Sequence, residues 1–173
     1  AQEAPTRETL PVALIVGDAI DQVRPKADAG GIPVITTTLA ADVYLSCDRR
    51  QLTSAVTNLL DNAVKYSEPA APIEISVDKQ ATDVEIAIRD HGIGIPTRDI
   101  ERIFERFYRV DRARSRDTGG TGLGLSIVRH IAAAHGGAVS VTSHEGEGST
   151  FTLTIPLHDA ALGGRADEGA NHG

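Results

Sequence analysis

Residues 119–126 read GGTGLGLS, and their glycines lead directly into the apolar pattern of SIVRHIAAA. Free backbone N–H groups at a helix start bind anionic oxygens, and glycine leaves them reachable because it has no Cβ. The stretch is not a P-loop, since Gly124 is followed by Leu125 where lysine would stand. Nor is it a dinucleotide fingerprint, because Gly120, Gly122 and Gly124 are spaced G-x-G-x-G and no strand pattern precedes them. By itself it fits a phosphate site and a flexible glycine-led helix start equally well.

Other residues of matching chemistry lie upstream. Asn58 and Asn62 stand one helical turn apart, and an amide oxygen is a hard ligand suited to Mg²⁺. Lys65 on the same stripe adds a charge for a phosphate, although such a stripe is also an ordinary solvated helix face. In RDHGIGIP, Asp90 ends a strand pattern and can accept a hydrogen bond from an exocyclic amine such as that of adenine. Gly92 and Gly94 allow close approach to a flat base, or simply form a strand-exit turn. Seven arginines against four acids between positions 98 and 116 make that segment locally positive.

The elements that must position these groups follow from periodicity. DRRQLTSAVTNLLDNAVKYS is the strongest helix pattern: at ~100° per residue, Leu52, Ala55, Val56, Leu59, Leu60, Ala63 and Val64 cover one broad face, and Asn58, Asn62 and Lys65 the other, with Tyr66 at its edge. Asp48 and Gln51 form a candidate capping box. PVALIVGDAIDQVRPKADAGG reads as a helix with a kink at Pro25, ended by Gly30 and Gly31. IPVITTTL and DVYLSC read as strands. Alternation at Ile73, Ile75, Val77 and at Val84, Ile86, Ile88 predicts an antiparallel hairpin, and GAVSVTSH with GSTFTLTIPL a second, joined by EGEG. RDIERIFERFYRV is a short amphipathic stretch. A helix from about Leu123 to His135 stops at Gly136 and Gly137.

The element order does not alternate strictly. It predicts an α+β fold, with helices on one face of a mostly antiparallel sheet. Residues 1–10 read as a linker remnant, 11–157 as one domain and 158–173 as a disordered tail. The 173 residues suffice for a single core, and the net charge of −7 argues against nucleic-acid binding. The lone Cys47 sits among apolar residues and reads as a buried, inert thiol. No run approaches the ~18 apolar residues of a membrane span, and the lack of methionine marks the chain as a piece of a longer protein.

Taken together, four blocks resemble the catalytic, ATP-binding domain of two-component sensor histidine kinases, in the superfamily shared with gyrase B, Hsp90 and MutL. The blocks are NLLDNAVKYS as the N box, RDHGIGIP as the first glycine box, IFERFYRVD as the phenylalanine box and GGTGLGLSIV as the second glycine box. Each is modestly specific; four in order and correctly spaced are highly specific. The resemblance covers about residues 12–157. It implies a two-layer α/β sandwich of the Bergerat type, with about three main helices on a mixed sheet.

The resemblance also implies roles. Asn62 is the principal Mg²⁺ ligand with Asn58 beside it, Lys65 reaches the phosphates, and Tyr66 stacks near the adenine. Asp90 binds the adenine amine, while Gly92, Gly94 and Ile95 shape the base pocket. Arg109 neutralises the γ-phosphate. Phe107, Gly120, Thr121, Gly122, Leu123 and Gly124 belong to a lid over the triphosphate, expected to order only with nucleotide. Phe104 and Phe107 pack into the core, or against a phosphoacceptor helix, or both. None of the six histidines fits the phosphoacceptor pattern, so the nucleophile is expected on a helical dimerisation domain outside this chain. Further expectations are a response regulator as indirect partner, a monomeric fragment of a homodimeric whole, and a cytoplasmic setting. A serine kinase of the anti-sigma type and a non-catalytic ATP-binding module are the alternatives.

Overall fold

The computed structural model describes residues 6–40, 42–106 and 124–157. In chain order the elements are β1 (Glu8–Pro11), α1 (Val12–Ala29), β2 (Val34–Leu39), β3 (Tyr44–Cys47), α2 (Arg49–Tyr66), β4 (Ile73–Lys79), β5 (Asp83–Arg89), α3 (Thr97–Ile100), α4 (Gly124–Ala134), β6 (Ala138–His144) and β7 (Gly148–Pro156). Five strands form one sheet in the order β2-β4-β5-β7-β6. All its pairs are antiparallel except β2 with β4, so the sheet is mixed, as the α+β reading requires. The helices pack on one face.

Alternation explains which face. Ile73, Ile75 and Val77 of β4, Val84, Ile86 and Ile88 of β5, and Phe151, Leu153 and Ile155 of β7 are all buried, and the residues between them are not. Each fully buried aliphatic side chain contributes about 1.5–3 kcal/mol, so register is strongly specified: a slip of one residue would turn this apolar set outward. Leu52, Ala55, Val56, Leu59, Leu60 and Ala63 of α2 meet that face, flanked by the buried stripes of α1 and α4.

Some details depart from the sequence reading. Glu8, Thr9 and Leu10, placed there in a linker, pair with Cys47, Ser46 and Leu45 in a separate two-stranded ribbon, because Leu10 and Leu45 are buried. In agreement with that reading, α1 runs as one helix through Pro25; the carbonyl left without its N–H partner belongs to Asp21, on the exposed side where water can satisfy it. Among the described residues, the amphipathic stretch after the first glycine box forms helix over Thr97–Ile100, followed by turns to residue 106.

The expected capping box is only half formed. Asp48 Oδ1 accepts from Gln51 N–H at 3.1 Å, but the Asp48 N–H donates to His135 Nε2 at 3.1 Å and not to the Gln51 side chain. His135 is 0% exposed, and its Nδ1 donates to the Ile131 carbonyl at 2.8 Å. A carbonyl can only accept, so the imidazole is the Nδ1–H tautomer with a lone pair on Nε2. One buried ring thereby ties the end of α4 to the start of α2.

Candidate functional site

The C-terminal half of α2 forms one wall. Its helical register puts Asn58, Asn62 and Lys65 on the partly exposed side, and none of the three has a hydrogen-bond or ion-pair partner among the described residues. Gly124, the first residue of α4, lies against this wall: a Cβ there would stand 3.5 Å from Asn58 Oδ1. Gly124, the last glycine of the second glycine box, therefore starts its helix beside Asn58. Two free amide oxygens one turn apart are hard donors that fit Mg²⁺. Among the described residues no group of three His, Cys, Asp or Glu side chains could hold a metal instead.

Asp90 stands at the end of β5 and is 3% exposed. Its Oδ1 accepts from the N–H of Gly92 at 2.9 Å and of Ser149 at 3.3 Å. The other carboxylate oxygen has no protein partner among the described residues, which leaves it available to an amine. Burial pushes the Asp90 carboxyl above its ordinary range, against the lowering effect of the two N–H donors and of His91. His91 is itself held by Glu74, Nε2 to Oε2 at 3.3 Å.

The glycines of RDHGIGIP are required by the protein's own backbone. A Cβ on Gly92 would come to 1.8 Å from the Tyr66 carbonyl oxygen, and one on Gly94 to 2.1 Å from that of His144. Gly94 also has φ +74°, a conformation that favours glycine. The loop is thus pressed between the end of α2 and the β6–β7 turn, with Ile93 N–H donating to the Tyr66 carbonyl at 3.4 Å. Ile95 is partly buried against the core. Phe104 packs edge-on to Phe151, ring centroids 6.1 Å apart at 82°, which meets the core-packing expectation for that residue.

Asn58, Asn62, Lys65, Tyr66, Asp90, Gly92, Gly94, Ile95 and Gly124 thus gather where α2, the β5–α3 loop and the start of α4 meet. Phe107, Arg109, Gly120, Thr121, Gly122 and Leu123 lie outside the described residues. Ser149, which the sequence does not single out, brackets Asp90 with its backbone N–H and carbonyl; its only signal is its place near the start of an alternating strand.

This geometry agrees with what the chain is similar to. The model of the family described as histidine kinase-, DNA gyrase B-, and HSP90-like ATPases matches residues 47–159, and the chain belongs to that family. It is the catalytic ATP-binding domain found in sensor histidine kinases. The sensor-like histidine kinase SenX3 of Mycolicibacterium smegmatis is 46% identical over 156 residues, 90% of this chain and 40% of that protein. The sensor histidine kinase WalK of Bacillus subtilis is 44% identical over 120 residues, 68% of this chain and 20% of that protein. The chain therefore spans well under half the length of these relatives. Among solved structures, the mycobacterial sensor histidine kinase MprB superposes with a TM-score of 0.75 at 28% identity, covering 87% of this chain and 97% of that one. Full-length ShkA in complex with AMPPNP gives a TM-score of 0.80 at 27% identity over 92% of this chain and 33% of that one.

Proposed function

We propose that this chain binds Mg²⁺-ATP and directs its γ-phosphate to a histidine on a helical dimerisation domain of the same kinase, from which a response regulator is then served. The carrying observation is the buried Asp90, with one carboxylate oxygen bonded to backbone N–H groups and the other left for an amine.

In this reading Asp90 selects the adenine, and Gly92, Gly94, Ile95 and Tyr66 bound the base. Asn62, with Asn58 beside it, holds Mg²⁺ through amide oxygens. The metal supplies charge neutralisation at the phosphates. Lys65 adds a fixed positive charge, and Arg109 stabilises charge developing on the transferred phosphoryl group. The lid residues Phe107, Gly120, Thr121, Gly122, Leu123 and Gly124 enclose the triphosphate. No described helix is long and apolar enough to cross a membrane; we place the domain on the cytoplasmic side, monomeric as a fragment and dimeric in the whole kinase.

The deciding experiment supplies labelled Mg²⁺-ATP together with a helical fragment bearing the phosphoacceptor histidine, and measures the stability of the labelled product. An acid-labile, base-stable product is expected. An acid-stable product would identify a serine kinase, and nucleotide binding without transfer a docking module. No acid-labile phosphohistidine is expected on this chain alone.

A further inference from the structure

We propose that Ser143, on β6, is a positioning residue for the base pocket: its hydroxyl fastens the glycine-bearing loop after Asp90 to the β6–β7 hairpin. This deepens, and rests on, the reading of Asp90 as the acceptor for adenine.

The Ser143 Oγ has three polar neighbours. It lies 2.7 Å from Ile95 N, 3.0 Å from the Gly148 carbonyl oxygen and 2.8 Å from Ser149 Oγ. Proton counting settles the directions. The Gly148 carbonyl can only accept, so it takes the one hydroxyl hydrogen of Ser143; Ile95 N–H can only donate, and Ser149 must then donate its hydrogen to Ser143. Ser143 is thereby saturated, with one bond given and two received.

One of the three bonds, that from Ile95, joins two parts of the chain that strand pairing does not join. Ser143 and Ser149 face each other across the β6–β7 ladder, and a bond between them could serve the hairpin alone. The bond from Ile95 could not, since Ile95 lies beyond Gly94 in the loop that follows Asp90. The opposite end of that loop is held by the same hairpin: Asp90 N–H donates to the Ser149 carbonyl at 2.9 Å, and Ser149 N–H to Asp90 Oδ1 at 3.3 Å. Between the ends, Gly146 N–H donates to the Ile93 carbonyl at 2.8 Å. The hairpin is therefore the back wall of the base pocket, and Ser143 is the side-chain anchor at the loop's far end. Without its hydroxyl, Ile95 N–H loses its acceptor and the loop is free to drift relative to Asp90.

The test is equilibrium titration of this chain with Mg²⁺-ATP, with amide hydrogen exchange read at Ile95. Ser143→Ala should bind about tenfold more weakly, in keeping with the loss of a part-buried hydrogen bond, and exchange at Ile95 should accelerate while β4 and β5 amides keep their protection. Ser143→Thr, which retains the hydroxyl, should recover binding. Ser140→Ala, on the exposed face of the same strand, should bind as the parent does. Should Ser143→Ala fail to fold, Ser143→Cys, with its weaker acceptor, is expected to bind between parent and loss. Parental affinity in Ser143→Ala or parental affinity in Ser143→Cys overturns the proposal, and so does a loss that threonine does not recover. Failure of the parent chain to bind Mg²⁺-ATP, or full binding by Asp90→Ala, instead overturns the reading of the site on which it rests.

Discussion

At the scale of single residues, Asp90 and Cys47 show burial acting on two acids with different consequences. The proposed role of Asp90 calls for a carboxylate, yet its burial raises its pKa. A protonated Asp90 is a poorer acceptor for an amine, so affinity for ATP should fall on acidification, beginning above the ordinary aspartate range of about 3.9. The sign for folding is opposite. The raised native pKa means that the folded state holds this proton more tightly, so Asp90 ionisation costs stability as pH rises through that window. Binding isotherms measured between pH 4 and 8 check the first statement, and a fall-off centred at or below the ordinary range would contradict it. Asp90→Ala and Asn62→Ala should each abolish binding. In Cys47, burial and then the charges of Glu8 and Asp48 push the thiol up to about 11 and leave it inert. It should resist thiol reagents at pH 8 in the folded protein and react on denaturation, because the thiolate is the reactive form.

Among the elements, α2 carries both the core face and the site, so its fixed start matters. Burial pushes the Asp48 carboxyl up, but the N–H groups of Gln51, Thr6 and Arg50 outweigh it and hold it below the ordinary range. Its contribution is present above the unfolded pKa and is lost as pH falls through the depressed native one. His135→Ala leaves the Asp48 N–H unpaired and opens a cavity, while the Ile131 carbonyl keeps its bond from the backbone N–H of residue 135; a loss of about 2–4 kcal/mol is expected in urea unfolding. Thr53 and Thr57 on the same helix carry the buried hydroxyls that have no partner among the described residues. Thr53→Val keeps the shape and removes the unsatisfied oxygen, so it should be neutral or stabilising by up to about 1 kcal/mol. The ion pairs Lys26–Asp61 at 3.3 Å and Arg49–Asp18 at 2.8 Å link α1 to α2. Both are surface pairs, and removing either should change stability by less than about 1 kcal/mol.

For the whole molecule, ligand and fold are linked. If Mg²⁺-ATP binds only the folded chain, a hundredfold excess over Kd stabilises it by about 2.7 kcal/mol. Thermal unfolding should shift upward with Mg²⁺-ATP for the parent chain and remain still for Asp90→Ala; equal shifts in both would place the nucleotide elsewhere.

Much of this organisation was legible in one dimension, and for a local reason. Strand alternation and the 3.6-residue period record which side of an element faces the core, so β4, β5, β7 and the buried face of α2 could be read from residue types alone. The asparagine stripe and Asp90 were legible because amides one turn apart, and an acid before two glycines, are short-range patterns. β1 was not, because four residues with a single buried leucine carry too little period to be told from a polar linker. Contacts between distant segments were also hidden. Asp48 and His135 are 87 positions apart, and Ile95 and Ser143 are 48 apart; neither partner announces the other. A hydroxyl or an imidazole satisfies whichever polar group the fold delivers to it, and only the packing of α2, α4 and the β6–β7 hairpin onto one sheet decides which group that is.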